Sequence, residues 1–161
     1  MNSHEDSLLR DLVRLIPGYG AYQDQETRRE DDRLTREFLE QRLAECKDKL
    51  DKIGLRAVEH GQLREVAKID GVREQLDLAQ RRLAAAVEGY AGWFSSRRVD
   101  AKLLETIATM DASMVSLVDQ IDLLARKKLE RNEIGFEELN ELVALLHARI
   151  ERRNATLKSG S

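Results

Sequence analysis

Leu39, Leu43, Cys46, Leu50, Ile53 and Ala57 follow one another at alternating spacings of four and three residues. An α-helix turns once in about 3.6 residues, so this rhythm lines the apolar side chains along one narrow stripe that must be buried against another helix. Similar stripes return as Val66, Ile69, Val72, Leu76, Ala79, Leu83 and Ala86, as Leu103, Ile107, Met110, Met114, Leu117, Ile121 and Leu124, and as Phe136, Leu139, Val143, Leu146 and Ile150. Four such stripes predict an all-α fold: an elongated, coiled-coil-like antiparallel bundle of four main helices.

Turn signals separate the stripes. A short first helix is expected from about Asp6 to Ile16, capped by Asp6 or Ser7 and stopped by Pro17. Pro17-Gly18-Tyr19-Gly20 then forms an elbow, since proline fixes φ and glycine reaches conformations other residues avoid. The second helix is expected from about Gln23 to Glu59 and the third from about Leu63 to Glu88, turning at His60-Gly61 as an antiparallel hairpin. Asp100 can cap the fourth, and Asn132 to Gly135 divides it from a fifth, unless these two are one bent rod. Residues 1–158 then make one domain, with 159–161 a disordered tail and LKSGS frayed.

The 161 residues suffice for a core without disulfides or metals. A net charge of −3 argues against nucleic acid, which calls for a basic excess on one face. One cysteine, no signal peptide and no apolar run of membrane-spanning length point to a cytoplasmic protein. The first helix mixes Asp11 with Arg10 and Arg14 on its polar side, so packing on the bundle is preferred to lying on a membrane surface.

Upstream of the Leu39 to Ala57 stripe, QETRREDDR has no apolar seam, and pairs such as Glu26 with Arg29 and Asp32 with Arg36 are expected to stabilise it. The second helix outruns the third by about ten residues, an overhang of about 15 Å that the first helix or another chain must cover. The charge runs RRED at 28–31, RKKLER at 126–131 and RIERR at 149–153 read as solvated faces.

Little in the chain suggests catalysis. Di-iron bundles place Glu-x-x-His on facing helices, and that spacing is absent here. His4, His60 and His147 do not converge on a metal spacing, so neither a metal nor a cofactor is expected. Cys46 takes a seam position, where a thiol acts as a small hydrophobe. Phosphate-binding loops and nucleophile elbows are likewise missing. The segment DQIDLLARKKLERN resembles the first helix of the helical chorismate mutases over little more than a dozen residues. That resemblance implies a rival function, a small-anion-binding enzyme using arginines inside the bundle.

Five of the seven aromatics, Tyr19, Tyr22, Tyr90, Trp93 and Phe94, fall in the glycine-bearing segments IPGYGAY and GYAGWF. The hairpin brings both segments to one end of the bundle. There they can form a hydrophobic lid or a recognition surface, since Tyr and Trp offer large contact areas at low entropic cost. These five are the candidate partner-binding residues of a non-enzymatic interaction or scaffold module, binding another protein or a second copy of itself as a homodimer.

Leu15-Ile16-Pro17-Gly18-Tyr19, then Arg28-Arg29-Glu30, and later Gly89-Tyr90 resemble a group of small uncharacterised bacterial proteins with a Leu-Ile-Pro-Gly-Tyr opening and an Arg-Arg-Glu helix. The likeness covers about a quarter of the chain. It implies a bacterial origin and an all-helical fold, and carries no activity with it.

Overall fold

The computed structural model describes residues 3–85, 99–133 and 135–159. Five α-helices account for most of them: α1 (Ser3–Leu15), α2 (Arg28–Glu59), α3 (Leu63–Ala85), α4 (Ala101–Arg131) and α5 (Glu137–Ser159), with a 3-10 turn at Gln25–Thr27. The fold is all-α, a helical bundle, as the four stripes predict.

Polar bonds between helices fix the directions. Gln80 donates to the Glu40 carbonyl at 2.9 Å and Arg73 pairs with Asp51 at 2.6 Å, so α2 and α3 run antiparallel. Arg149 donates to the Ser113 carbonyl at 2.9 Å and Arg153 to Asp111 at 2.7 Å, so α4 and α5 do the same. Between hairpins the helices are parallel: Lys49 meets Asp122 and Arg56 the Leu129 carbonyl, while His147 meets the Gln75 carbonyl and Arg82 meets Glu151. The bundle is therefore two antiparallel hairpins side by side, in the cyclic order α2, α3, α5, α4, with α1 packed outside on α4.

The seam residues of α2, from Leu39 to Ala57, are all buried, as are Leu139, Val143, Leu146 and Ile150 of α5. Burying each large aliphatic stabilises the fold by about 1.5–3 kcal/mol. Of its expected stripe α4 buries Ile107, Met114, Leu117 and Ile121 and half-buries Leu103, Met110 and Leu124, and it buries more besides. Leu104, Ala108, Asp111, Val115, Val118, Asp122 and Ala125 form a second one, because α4 is packed by α1, α2 and α5 together.

Chain reversals are built from local rules. At Gly61, φ is +68°, and the Gln62 and Gly61 amides donate to the Ala57 and Val58 carbonyls, the paired bonds that close a helix before a left-handed residue. Asn132 takes φ +53° after α4, so α4 and α5 are separate helices and not one bent rod. Asp100 caps α4 as expected by accepting from the Lys102 amide at 3.1 Å.

Three boundaries differ from expectation. α1 begins at Ser3, which puts Asp6 and Ser7 inside the helix. α2 begins at Arg28, because Asp24 accepts from the Glu26 amide and the chain first makes a 3-10 turn. α5 continues through LKS to Ser159, held by the buried Leu157. No described helix is long and apolar enough to cross a membrane.

Candidate functional site

At the end of the bundle where α2 begins, the interior changes from aliphatic to ionic. Arg28, Asp31, Asp32 and Arg36 from the first turns of α2 are all buried, and α4 and α5 add Asp111 and Arg153. Three carboxylates face three guanidiniums. Taking such groups out of water costs several kcal/mol per ion, so the cluster is tolerable only because charge and hydrogen bonds are matched.

Arg153, 2 % exposed, is the hub. Its Nε donates to Asp111 Oδ1 at 2.7 Å, and a terminal nitrogen donates to Asp32 Oδ1 and to the Tyr22 hydroxyl, each at 2.9 Å. Asp32 also accepts from Arg36 Nε at 2.8 Å, the expected pair. The second oxygen of Asp111 accepts from the Tyr22 hydroxyl at 2.5 Å and the Tyr19 hydroxyl at 3.2 Å. The two rings meet edge to face at 5.9 Å.

Asp31 organises the elbow itself. Its two oxygens accept the Gly20 and Tyr22 amides, each at 2.9 Å, while Arg28 Nε donates to the Tyr22 carbonyl at 3.2 Å. These bonds hold Ala21 and Tyr22 at φ +52° and +62°. The left-handed region costs a residue with a side chain on the order of 1–3 kcal/mol, so the elbow keeps this shape only because its surroundings over-determine it.

Electrostatics follow from burial. Burial first, and Asp111 beside them, push both tyrosine hydroxyls well above their usual range. Burial likewise raises the Asp111 carboxyl, against the pull of Arg153 and Tyr22. For Arg153 burial opposes the charge, but Asp111, Tyr22 and Asp32 around it outweigh that and hold the guanidinium charged. The tyrosines are donors here rather than bases. The surface clefts of about 310 to 560 Å³ are lined by other residues, so the cluster opens into none of these.

Tyr19 and Tyr22 are therefore interior residues, 4 % and 0 % exposed, which agrees with the lid reading and takes these two off an open contact surface. Their hydroxyls are turned inward by Asp111. Tyr90, Trp93 and Phe94 lie outside the described residues. The solvated reading of the three charge runs is corrected at single residues: Arg28 and Asp31 are buried in the first run and Arg153 in the last. Lys128, in the middle run, is buried too, its ammonium 5.4 Å from the Phe136 ring centre.

Cys46 is buried in the α2 seam, and burial, then the nearby Asp122, push its thiol up to about 12. Asp122 itself is held by Lys49 at 2.5 Å and Arg126 at 2.9 Å. Among the described residues no group of three or more His, Cys, Asp or Glu side chains is placed to hold a metal. Comparison with protein-family models, with curated proteins and with solved structures gave no match.

Proposed function

We propose that the chain is a non-enzymatic helical interaction module that associates with a second copy of itself through α1. The observation that carries this reading is exposed apolar surface set in a groove; Leu55, Val58 and Leu63 near the α2–α3 turn are more exposed but line none of the clefts described above. Val13 and Leu15 of α1 and Leu123 of α4 are 46 %, 42 % and 46 % exposed, and Leu15 and Leu123 line one groove of about 530 Å³ between the two helices. Asp11, Arg14 and Asp119 rim it with both signs of charge, which suits a self-complementary contact about a two-fold axis.

A rival enzyme needs interior arginines that face a substrate. Arg153 is interior, yet Asp111, Asp32 and Tyr22 occupy it, which supports a structural role. Light scattering coupled to size exclusion tests the proposal. The expected mass is twice 18.4 kDa, falling to 18.4 kDa in a Val13→Asp, Leu15→Asp variant that keeps its helical signal. A wild-type monomer at all concentrations up to about 1 mM, weaker than any functional dimer, rejects it.

A further inference from the structure

We infer that the cleft bounded by α1, α4 and α5 is a binding site for a small organic anion carrying a phosphate or carboxylate group. It encloses about 560 Å³, and Lys102, Arg149 and Arg152 all line it. That volume lies within the range of small-molecule sites.

The charge arrangement points to the ligand. Elsewhere in the bundle Arg36, Lys47, Lys49 and Arg153, buried or half-buried, each meet a carboxylate within 2.9 Å, while buried Lys128 lies against the Phe136 ring and half-buried Arg56 meets the Leu129 carbonyl. Lys102, Arg149 and Arg152 form no ion pair among the described residues, although all three border one cleft. Three like charges bordering one cleft repel one another beyond what Glu5 and Glu105 on the same lining offset, and a bound anion relieves that repulsion. Arg149 is pre-positioned, since one terminal nitrogen donates to the Ser113 carbonyl at 2.9 Å and leaves the rest of the fork to a ligand.

The remaining lining sets the class. Among the described lining residues Glu5 and Glu105 leave an excess of one positive charge, which suits a small anion and disfavours a polyanion such as nucleic acid. Thr109 adds a hydroxyl for a phosphate or carboxylate oxygen, and Met110 an apolar surface for a short carbon skeleton. The site is independent of the ionic cluster around Arg153, with which it shares no residue.

The test is a titration of the isotope-labelled full chain with inorganic phosphate and, separately, with succinate, followed by amide chemical shifts. Saturable shifts confined to the neighbourhood of Glu5 and to residues 102–113 and 149–152 are expected with at least one probe, with a dissociation constant on the order of millimolar. Whichever probe binds tighter identifies the headgroup. The Lys102→Gln, Arg152→Gln double variant, altering two exposed side chains, should weaken binding at least tenfold. Arg149→Gln is the second variant, and Arg64→Gln with Lys127→Gln, at the other end of the bundle, should leave binding unchanged. Linear shifts spread over all surface cations, or equal binding by wild type and the cleft variants, overturn the proposal.

Discussion

α2 crosses two different interiors. From Leu39 to Ala57 it contributes a stripe of aliphatic groups and one thiol, and from Arg28 to Arg36 it contributes four charged side chains that are as deeply buried. The aliphatic half is held by a force without direction, so side chains of similar volume can replace one another. The ionic half is held by directed bonds, each donor matched to a particular oxygen. Two roles divide one helix: the seam makes the bundle stable, and the ionic end holds the elbow onto it.

Conservative substitutions separate these roles most sharply. Leu43→Met keeps volume in the aliphatic half and should cost less than about 1.5 kcal/mol. Arg153→Met removes the charge that neutralises Asp111 and Asp32 and should cost about 3–5 kcal/mol, the penalty for uncompensated buried charge. Denaturant unfolding measures both. Equal costs would mean that water enters the ionic end freely and the two interiors are not distinct.

The same division explains what could be read from the sequence. Aliphatic stripes announce themselves by spacing, and α2 to α5 follow from Leu39, Val72, Leu117 and Leu146 with their neighbours. The turns at Gly61 and Asn132 are legible because left-handed backbone favours those residue types. The ionic cluster is not legible in this way: Arg28, Asp31 and Arg153 look like any solvated helix face until distant helices bring their opposite charges together. One signal was present. Asp111 and Asp122 sit in the second α4 stripe, Leu104 to Ala125, at positions otherwise apolar, and a carboxylate in such a stripe demands a partner. For Tyr19 and Tyr22 the sequence left a lid and a recognition surface both open, and only the acceptor of their hydroxyls, Asp111 on a distant helix, decides for the interior.

Alkaline pH probes the ionic end with a smaller effect. Tyr19 and Tyr22 titrate above their ordinary value in the folded state, so the unfolded chain loses its tyrosine protons first. Their contribution is fully present below about pH 10, the unfolded tyrosine value, and declines as pH rises beyond it. Cys46, pushed up to about 12, acts in the same direction from about pH 8.5 upward. Unfolding free energy should therefore fall between pH 8.5 and 12, more steeply in the wild type than in Tyr22→Phe. At neutral pH that variant should be less stable by about 1–3 kcal/mol, because Asp111 loses its closest donor. Parallel slopes for the two proteins would show that the Tyr22 hydroxyl titrates like a solvated one.

The smallest expected effect lies at the aliphatic end, at the turn from α2 into α3. Gly61 turns α2 into α3 at φ +68°, and a Cβ added there meets nothing within 4 Å. Gly61→Ala therefore tests left-handed strain without any clash, and should cost about 1 kcal/mol. The elbow offers the opposing case, since Ala21 already holds φ +52° with a side chain present and the Asp31 bonds compensate. Ala21→Gly should stabilise by relieving the same strain, less the entropy that glycine brings to the unfolded chain, giving a net change below about 1 kcal/mol. Thermal melting of both variants compares the two ends directly. If Ala21→Gly instead destabilises by more than Gly61→Ala, the elbow conformation is set by packing of the Ala21 methyl and not by the carboxylate beneath it.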